Sequence, residues 1–566
     1  MAEDSGNPDD PAAAFAAILS AQAEAGEALR EAFATSDGWG ALLESWRDRL
    51  PAGTLARQQA LWTDLAGQWQ SALAQMTDGA GGSGGAGLED QPLFGLIQQT
   101  YARIAEEAEA LAASAPDPDA GHQGQLRFFT SALIDAMNPA NFPLTNPKVL
   151  EKAQATKGES LAKGLEYFLA DLKRGQLTHS DPAGFRIGET IAATPGKVVH
   201  ETPLYQLIQY APATETVLAT PLVIFPPWIN RFYILDLNPA KSFVRWAVEQ
   251  GITVFMVSWK SADETMAEVI WDDYIAAQID AIEHVRARLD VTAVHTIGYC
   301  VAGTTLAATL AIMARRGDAG KVASATFFTA QVDFTEAGAL KHFVDDKLIA
   351  LIEQLSPKGY VDGRIMAATF NLLRGRELIW SPAIKHYLLG EARPAFDLLH
   401  WNGDVTNLPA KWQTAYLRDL YQGNRLVVAD SLSALDMPID LTRIATPCYI
   451  QAGREDHIAP PESVWKLTHY LAGPWTFVLA GSGHIAGVVN PPAAGKYQYW
   501  TNPGEAGSLA SFLAGAEEHK GSWWPHWAQW LRAQDRREVA AKGKRRPGGK
   551  GDTVIGDAPG SYVRSR

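Results

Sequence analysis

The passage Thr296-Ile-Gly-Tyr-Cys-Val-Ala-Gly-Thr-Thr-Leu306 restricts the fold more than any other part of the chain. A β-rich run enters at Ile297, Gly298, Ala302 and Gly303 surround Cys300, and a helical run leaves from Thr304. A buried strand that turns this sharply into a helix must pack that helix back on its own sheet, which calls for a layered α/β architecture. Small residues are needed there because two backbones approach closely. The stretch from Val291 to Ala314 has no charged residue and is long enough to cross a bilayer. Its His295, two glycines and five threonines argue instead for a strand followed by a helix.

Similar β-rich runs alternate with helical segments from about residue 180. They are Pro221-Leu-Val-Ile-Phe225, Thr253-Val-Phe-Met-Val-Ser-Trp259, Val294-His-Thr-Ile-Gly298, Ala323-Ser-Ala-Thr-Phe-Phe-Thr329, Cys448-Tyr-Ile-Gln-Ala452 and Trp475-Thr-Phe-Val-Leu479. Strands separated by helices imply right-handed crossovers and a mainly parallel sheet covered on both faces. The interval 332–446 interrupts this rhythm and is expected to be a helical insertion that roofs the site as a lid. Before residue 180 the pattern is helical. Residues 1–90 read as an acidic helical arm closed by the flexible linker Gly79-Ala-Gly-Gly-Ser-Gly-Gly-Ala-Gly87, and 91–200 as a helical N-terminal domain broken by prolines. The catalytic domain is expected over 201–535, and residues 536–566 as a basic flexible tail.

Charge and cysteine content narrow the setting. Residues 1–120 carry 19 acidic and 5 basic side chains and the rest 44 of each, so the net charge of −14 lies entirely in the first part. Such a chain is a poor partner for nucleic acid, which needs a basic face. The basic run Arg536–Lys550 is short and rich in Gly and Pro, and reads as a solvated tail. Two cysteines, Cys300 and Cys448, fit a reducing cytoplasm, and the acidic start at Met1–Pro11 lacks the order of a secretory signal. No metal is expected, because no Cys and His set has zinc spacing.

The chemistry centres on Cys300. Gly298-Tyr-Cys-Val-Ala302 is a nucleophile elbow with sulfur in place of the usual hydroxyl. A helix N-terminus beside the thiol favours its anionic form, and the Val301 N–H is placed to receive a developing oxyanion. The alternative is a small buried cysteine without a role. In such folds the acid and the histidine follow later strands in that order. Here Arg454-Glu-Asp-His-Ile-Ala-Pro460 follows one strand and Gly481-Ser-Gly-His-Ile-Ala-Gly487 the next, giving Asp456 as acid and His484 as base. His457 is a poor rival base because it adjoins Asp456 in sequence, and Glu455 leaves the same loop in the opposite direction. A second oxyanion donor is expected from the stiff loop Phe225-Pro-Pro-Trp-Ile-Asn-Arg-Phe-Tyr233, at the N–H of Trp228 or, as the specific choice, Ile229. A thiolate attacking a thioester leaves the acyl-enzyme activated, which favours transfer over hydrolysis.

From about Asn141 onward the chain resembles class I polyhydroxyalkanoate (PHA) synthases of the α/β-hydrolase superfamily. The resemblance rests on Phe225-Pro-Pro-Trp-Ile-Asn-Arg-Phe-Tyr-Ile-Leu-Asp-Leu237, Trp271-Asp-Asp-Tyr274, Gly298-Tyr-Cys-Val-Ala-Gly-Thr304, Asp397-Leu-Leu-His-Trp-Asn-Gly-Asp-Val-Thr-Asn-Leu-Pro409, Gly483-His-Ile-Ala-Gly487 and Gly521-Ser-Trp-Trp-Pro525, in family order. It implies an α/β-hydrolase fold and an acyltransferase that polymerises (3R)-hydroxyacyl-CoA, with 3-hydroxybutyryl-CoA as the expected substrate and CoA released. It places nucleophile, acid and base on Cys300, Asp456 and His484. It further implies a homodimer on cytoplasmic polymer granules with granule-associated proteins, no transmembrane segment, and no cofactor beyond the CoA thioester as substrate. The Asp397–Pro409 segment would belong to the lid, controlling access and contributing to pairing. Ala302 stands where the family usually has glycine, which bears on rate or substrate preference. Competing readings are a thiol-dependent thioesterase or polyester depolymerase of the same fold, and a silent granule scaffold acting through its N-terminal helices and the Trp523-Trp524-Pro-His-Trp527 cluster. Arg231 is a candidate for a CoA phosphate.

Overall fold

The computed structural model describes residues 54–77, 91–114, 120–504 and 506–565. Two units divide the chain: residues up to Arg174 with Arg374–Ala392, and Gly175–Leu373 with the residues from Arg393 onward.

The first unit is helical. Its helices are Thr54–Thr77, Pro92–Ser114, Ala120–Ala136, Pro147–Ala155 and Glu159–Arg174. Asn146 starts one of them by accepting from the Lys148 and Val149 N–H groups, with Pro147 preset in helical φ. Arg374–Ala392 joins this unit, and its two π-helical stretches flank Pro382, which cannot donate to the ladder. Tyr387 ties it in by donating to Asp171 at 2.6 Å. Of the expected arm, only Thr54–Thr77 is described, as a helix; the remainder of 1–90 and its Gly linker lie outside the described residues.

The second unit is built on eleven strands: β1 Gly196–Glu201, β2 Tyr205–Tyr210, β3 Leu222–Phe225, β4 Val254–Trp259, β5 Val294–Tyr299, β6 Val322–Phe328, β7 Cys448–Gly453, β8 Trp475–Ala480, β9 Gln498–Thr501, β10 Glu517–Lys520 and β11 Gly556–Asp557. Their order is β10-β9-β8-β7-β6-β5-β3-β4-β2-β1-β11. The six central strands β3 to β8 pair in parallel, as the apolar runs predict, and antiparallel strands extend both edges. Alternate residues of one strand enter different cores. Val223 and Phe225 pack with the Trp271–Leu289 and Val301–Arg315 helices, and Leu222 and Ile224 with Phe243, Trp524 and Trp527 on the other face. This is an α/β-hydrolase-type sheet with both faces covered.

Several expectations are corrected. The sheet begins at Gly196, inside the block read as helical. Residues 536–565 are no loose tail: Glu538–Ala540 pairs with Thr216–Leu218, and β11 closes on β1. Arg545 is buried and donates to the Leu218 and Ala219 carbonyls and to Thr253 Oγ1, so its charge is met by backbone rather than water. The 332–446 insertion is not one body, since Arg374–Ala392 groups with the helical unit. The reading of Val291–Ala314 as a strand followed by a helix holds, and among the described residues no helix is long and apolar enough to cross a membrane.

Candidate active site

Register along the sheet brings the chemistry to one edge. Phe225 pairs with Gly298 and Gly453 with Ala480, so the loops after β3, β5, β7 and β8 all leave from the C-terminal edge of parallel strands. Cys300 sits at the β5-to-helix turn with φ 54° and ψ −128°, a left-handed backbone that an L-residue adopts only when its surroundings enforce it. Its N–H donates to the Phe328 carbonyl at 2.9 Å. A Cβ on Gly298 would lie 2.5 Å from Gly303 Cα, and one on Gly303 would lie 2.4 Å from Ala330 Cβ, which explains the small residues around the turn. Cys300 is half-buried.

The β7 and β8 loops are stitched together by Arg454 N–H to Ala480 O at 2.8 Å and Glu455 N–H to Ser482 O at 3.0 Å. That brings Asp456 to His484. Asp456 Oδ1 accepts the N–H groups of Ile458 and Ala459 at 2.9 Å each, which turns Oδ2 to His484 Nδ1 at 2.7 Å. A carboxylate only accepts, so Nδ1 carries the proton and the other ring nitrogen is left free to serve Cys300, whose sulfur acts on the imidazole electrostatically. Burial works against charge on this ring, but the Asp456 carboxylate and the Cys300 sulfur outweigh it and push His484 up to about 10. Glu455 is exposed, and His457 is not among the residues lining the cavity beside Cys300. His295 is a structural residue, bonded through Nδ1 to Ser324 Oγ at 2.8 Å inside β5.

Cys300 opens into a narrow apolar cavity of about 100 Å³. Its floor includes Ile229, Val301 and Thr304, and its walls come from the insertion, among them Leu340, Ile352, Met366, Phe370, Tyr416 and Tyr421. Among the described residues the N–H groups of Val301 and Ile229 donate to no backbone carbonyl. Neither Asp397–Pro409 nor Ala302 lines the cavity; the Ala302 methyl is buried in the core behind the elbow.

Comparison with known proteins follows this geometry. Residues 86–247 match the family profile described as "Poly-beta-hydroxybutyrate polymerase (PhaC) N-terminus", and 221–491 match that of the alpha/beta hydrolase fold. The chain is 45% identical over 484 residues to the "Poly(3-hydroxyalkanoate) polymerase subunit PhaC" of Rhizobium meliloti (strain 1021), covering 84% of this chain and 78% of that protein. It belongs to the poly(3-hydroxyalkanoate) polymerase family. The protein of the same name from Rhizobium etli is 40% identical over 91% of this chain and 84% of its own, and that of Cupriavidus necator 43% over 80% and 78%. The chain is thus an acyltransferase of polyester synthesis.

Residues outside Cys300, Asp456 and His484 also shape the site, among them the Trp523–Trp527 cluster, whose ordinary reading is packing of the C-terminal helix against the core. The Trp523–Trp527 cluster is buried. Trp523 and Trp524 donate through Nε1 to the carbonyls of Gly487 and Val488, and Tyr299 donates to the His484 carbonyl at 3.0 Å, so three side chains hold the turn that carries His484. The conjunction of Gly483-His-Ile-Ala-Gly487 with Gly521-Ser-Trp-Trp-Pro525 in one resemblance was the signal available for that contact. Arg231 cannot greet a CoA phosphate. Its side chain is 1% exposed, lies 3.6 Å from Asp404 and donates to the carbonyls of Tyr562 and Ser565. Trp228 is stacked on Tyr274 at 3.9 Å in the core, and Ile229 is the residue of its loop that reaches the cavity.

Proposed function

We propose that this polymerase takes the acyl group of (3R)-hydroxyacyl-CoA, 3-hydroxybutyryl-CoA first among them, onto Cys300, and that Cys300, His484 and Asp456 act as a catalytic triad. Sulfur attacks the thioester carbonyl, and the oxyanion so formed is met by the Val301 and Ile229 N–H groups. The C–S bond to CoA breaks, and the CoA thiolate leaves with the proton held by the His484 imidazolium. Acylation also removes the sulfur charge, one of two that hold that proton, so the imidazole becomes a base. It then takes the proton of a 3-hydroxyl, whose oxygen attacks an acyl carbonyl on Cys300; the ester C–O bond forms, the C–S bond breaks, and the chain grows by one unit. Asp456 orients the ring and supports its charge throughout.

The observation that carries this reading is a strained, half-buried cysteine at an apolar cavity, whose sulfur acts electrostatically on a carboxylate-bound histidine. Such a cavity disfavours water and protects a thioester intermediate from hydrolysis. The test is purified protein with 3-hydroxybutyryl-CoA, read for CoA release together with turbid, high-mass polyester. Release of CoA with free 3-hydroxybutyrate as the only product would establish a thioesterase in its place, and an unchanged Cys300→Ala variant would remove the nucleophile assignment.

A further inference from the structure

We infer that the Thr406 hydroxyl aims the second oxyanion donor, and that Asp397–Pro409 braces the loop carrying it rather than covering the site. The inference rests on the reading of Ile229 N–H as that donor. Thr406 Oγ1 donates to the Trp228 carbonyl at 2.6 Å and accepts the Asn230 N–H at 2.9 Å. One oxygen therefore grips the chain on both sides of Ile229. The Trp228 carbonyl and the Ile229 N–H belong to a single peptide group, planar and trans, so they point in opposite directions. A bond that fixes the first aims the second.

Neighbours of Thr406 complete the brace. Asn230 has φ 69°, unusual for a side-chain-bearing residue, and its Nδ2 donates to the carbonyls of Trp401 at 3.1 Å and Asn402 at 3.0 Å. Trp401 Nε1 donates to the Arg231 carbonyl at 2.7 Å, and Asp404 accepts from Tyr233 at 2.8 Å. The brace is anchored in turn at Asn407, whose N–H donates to Ser261 Oγ at 3.0 Å and whose Nδ2 donates to the Ala262 carbonyl at 3.1 Å, just beyond β4. Thr406 is buried, and the cavity wall contains none of residues 397–409, so a role in access has no support in this arrangement. Thr406 is a positioning residue; it touches the donor's peptide and not the reacting atoms.

The test compares Thr406→Val, which removes the hydroxyl at nearly constant shape, with Thr406→Ser, which keeps it. Losing an oxyanion donor outright costs about 10²–10³ in kcat. Thr406→Val is expected to lower kcat for 3-hydroxybutyryl-CoA by about 10- to 100-fold with KM within about threefold, and Thr406→Ser to stay within about threefold of the parent. Alkylation of Cys300 by iodoacetamide builds no oxyanion, so its rate should be the same in all three proteins. Thr406→Val retaining kcat within about threefold would overturn the inference. So would Thr406→Ser failing as badly as Thr406→Val, or alkylation falling in step with kcat, which would mark a merely structural role. Should the valine chain not fold, Thr406→Ala is the same deletion and is judged by the same three measurements. Cys300→Ala, run alongside, separates the outcomes: if it keeps activity, the triad reading fails, whereas a dead Cys300→Ala beside a normal Thr406→Val sinks only the brace.

Discussion

The two cysteines sit at opposite ends of neighbouring parts of one sheet, and their fates differ. Cys300 follows the last residue of β5, at the edge where the site loops gather, in a left-handed backbone and half-buried. Cys448 is the first residue of β7, at the opposite edge, fully buried, with its Sγ 3.1 Å from the Thr446 carbonyl. Burial pushes its thiol well up. The proposed difference in reactivity follows the edge from which a residue emerges, not the residue type.

Substitution at these two positions should give the widest separation. Cys300→Ala is expected to lose polymer formation by more than about 10⁴-fold, as nucleophile deletions in triad enzymes do, while Cys448→Ala keeps kcat within about twofold; CoA release under saturating substrate measures both. Equal losses would dissolve the contrast. Asp456→Asn should lower kcat by about 10³- to 10⁴-fold, because the amide fixes the wrong histidine tautomer. The same variant carries a pH signature. His484 titrates above its ordinary 6.5 in the folded protein, at about 10, so its pairing stabilises the fold fully below about pH 6.5 and that contribution fades as pH rises through 10. Thermal midpoints of the parent should therefore fall between pH 7 and 10 more steeply than those of Asp456→Asn. Iodoacetamide sharpens the comparison chemically: under native conditions mass spectrometry should find the label on Cys300 and none on Cys448. The smallest effect is expected at Ala302→Gly, with activity within about threefold and a loss of about 1 kcal/mol from helix propensity, read by denaturant unfolding. A large change in rate would mean that the Ala302 methyl acts on the elbow after all.

Local chemistry made part of this legible. The six central strands are buried on both faces, so their apolar runs stand out, and the elbow, Asp456 and His484 could be placed because each follows one of those runs. The edges were not legible. β10 is Glu-Glu-His-Lys and β1 contains Lys197, His200 and Glu201, so neither has an apolar pattern, and both are strands because of partners elsewhere in the chain. The basic run after Arg536 misled for a related reason: Arg545 is satisfied by carbonyls more than 300 positions earlier, which no window of sequence displays. Asp397–Pro409 was found as a motif, but its hydrogen bonds run to a loop about 170 residues away, which no window of sequence displays.

The grip of Tyr562 and Ser565 on Arg231 has a consequence for the order in which the protein is made. Translation delivers the elbow, the acid and the base long before these carbonyls leave the ribosome. A growing chain therefore holds Cys300 while the loop after β3 still lacks the partners of its Arg231 side chain. The loop that carries Ile229 therefore gains the two hydrogen bonds that fix its Arg231 side chain only when synthesis has passed residue 565.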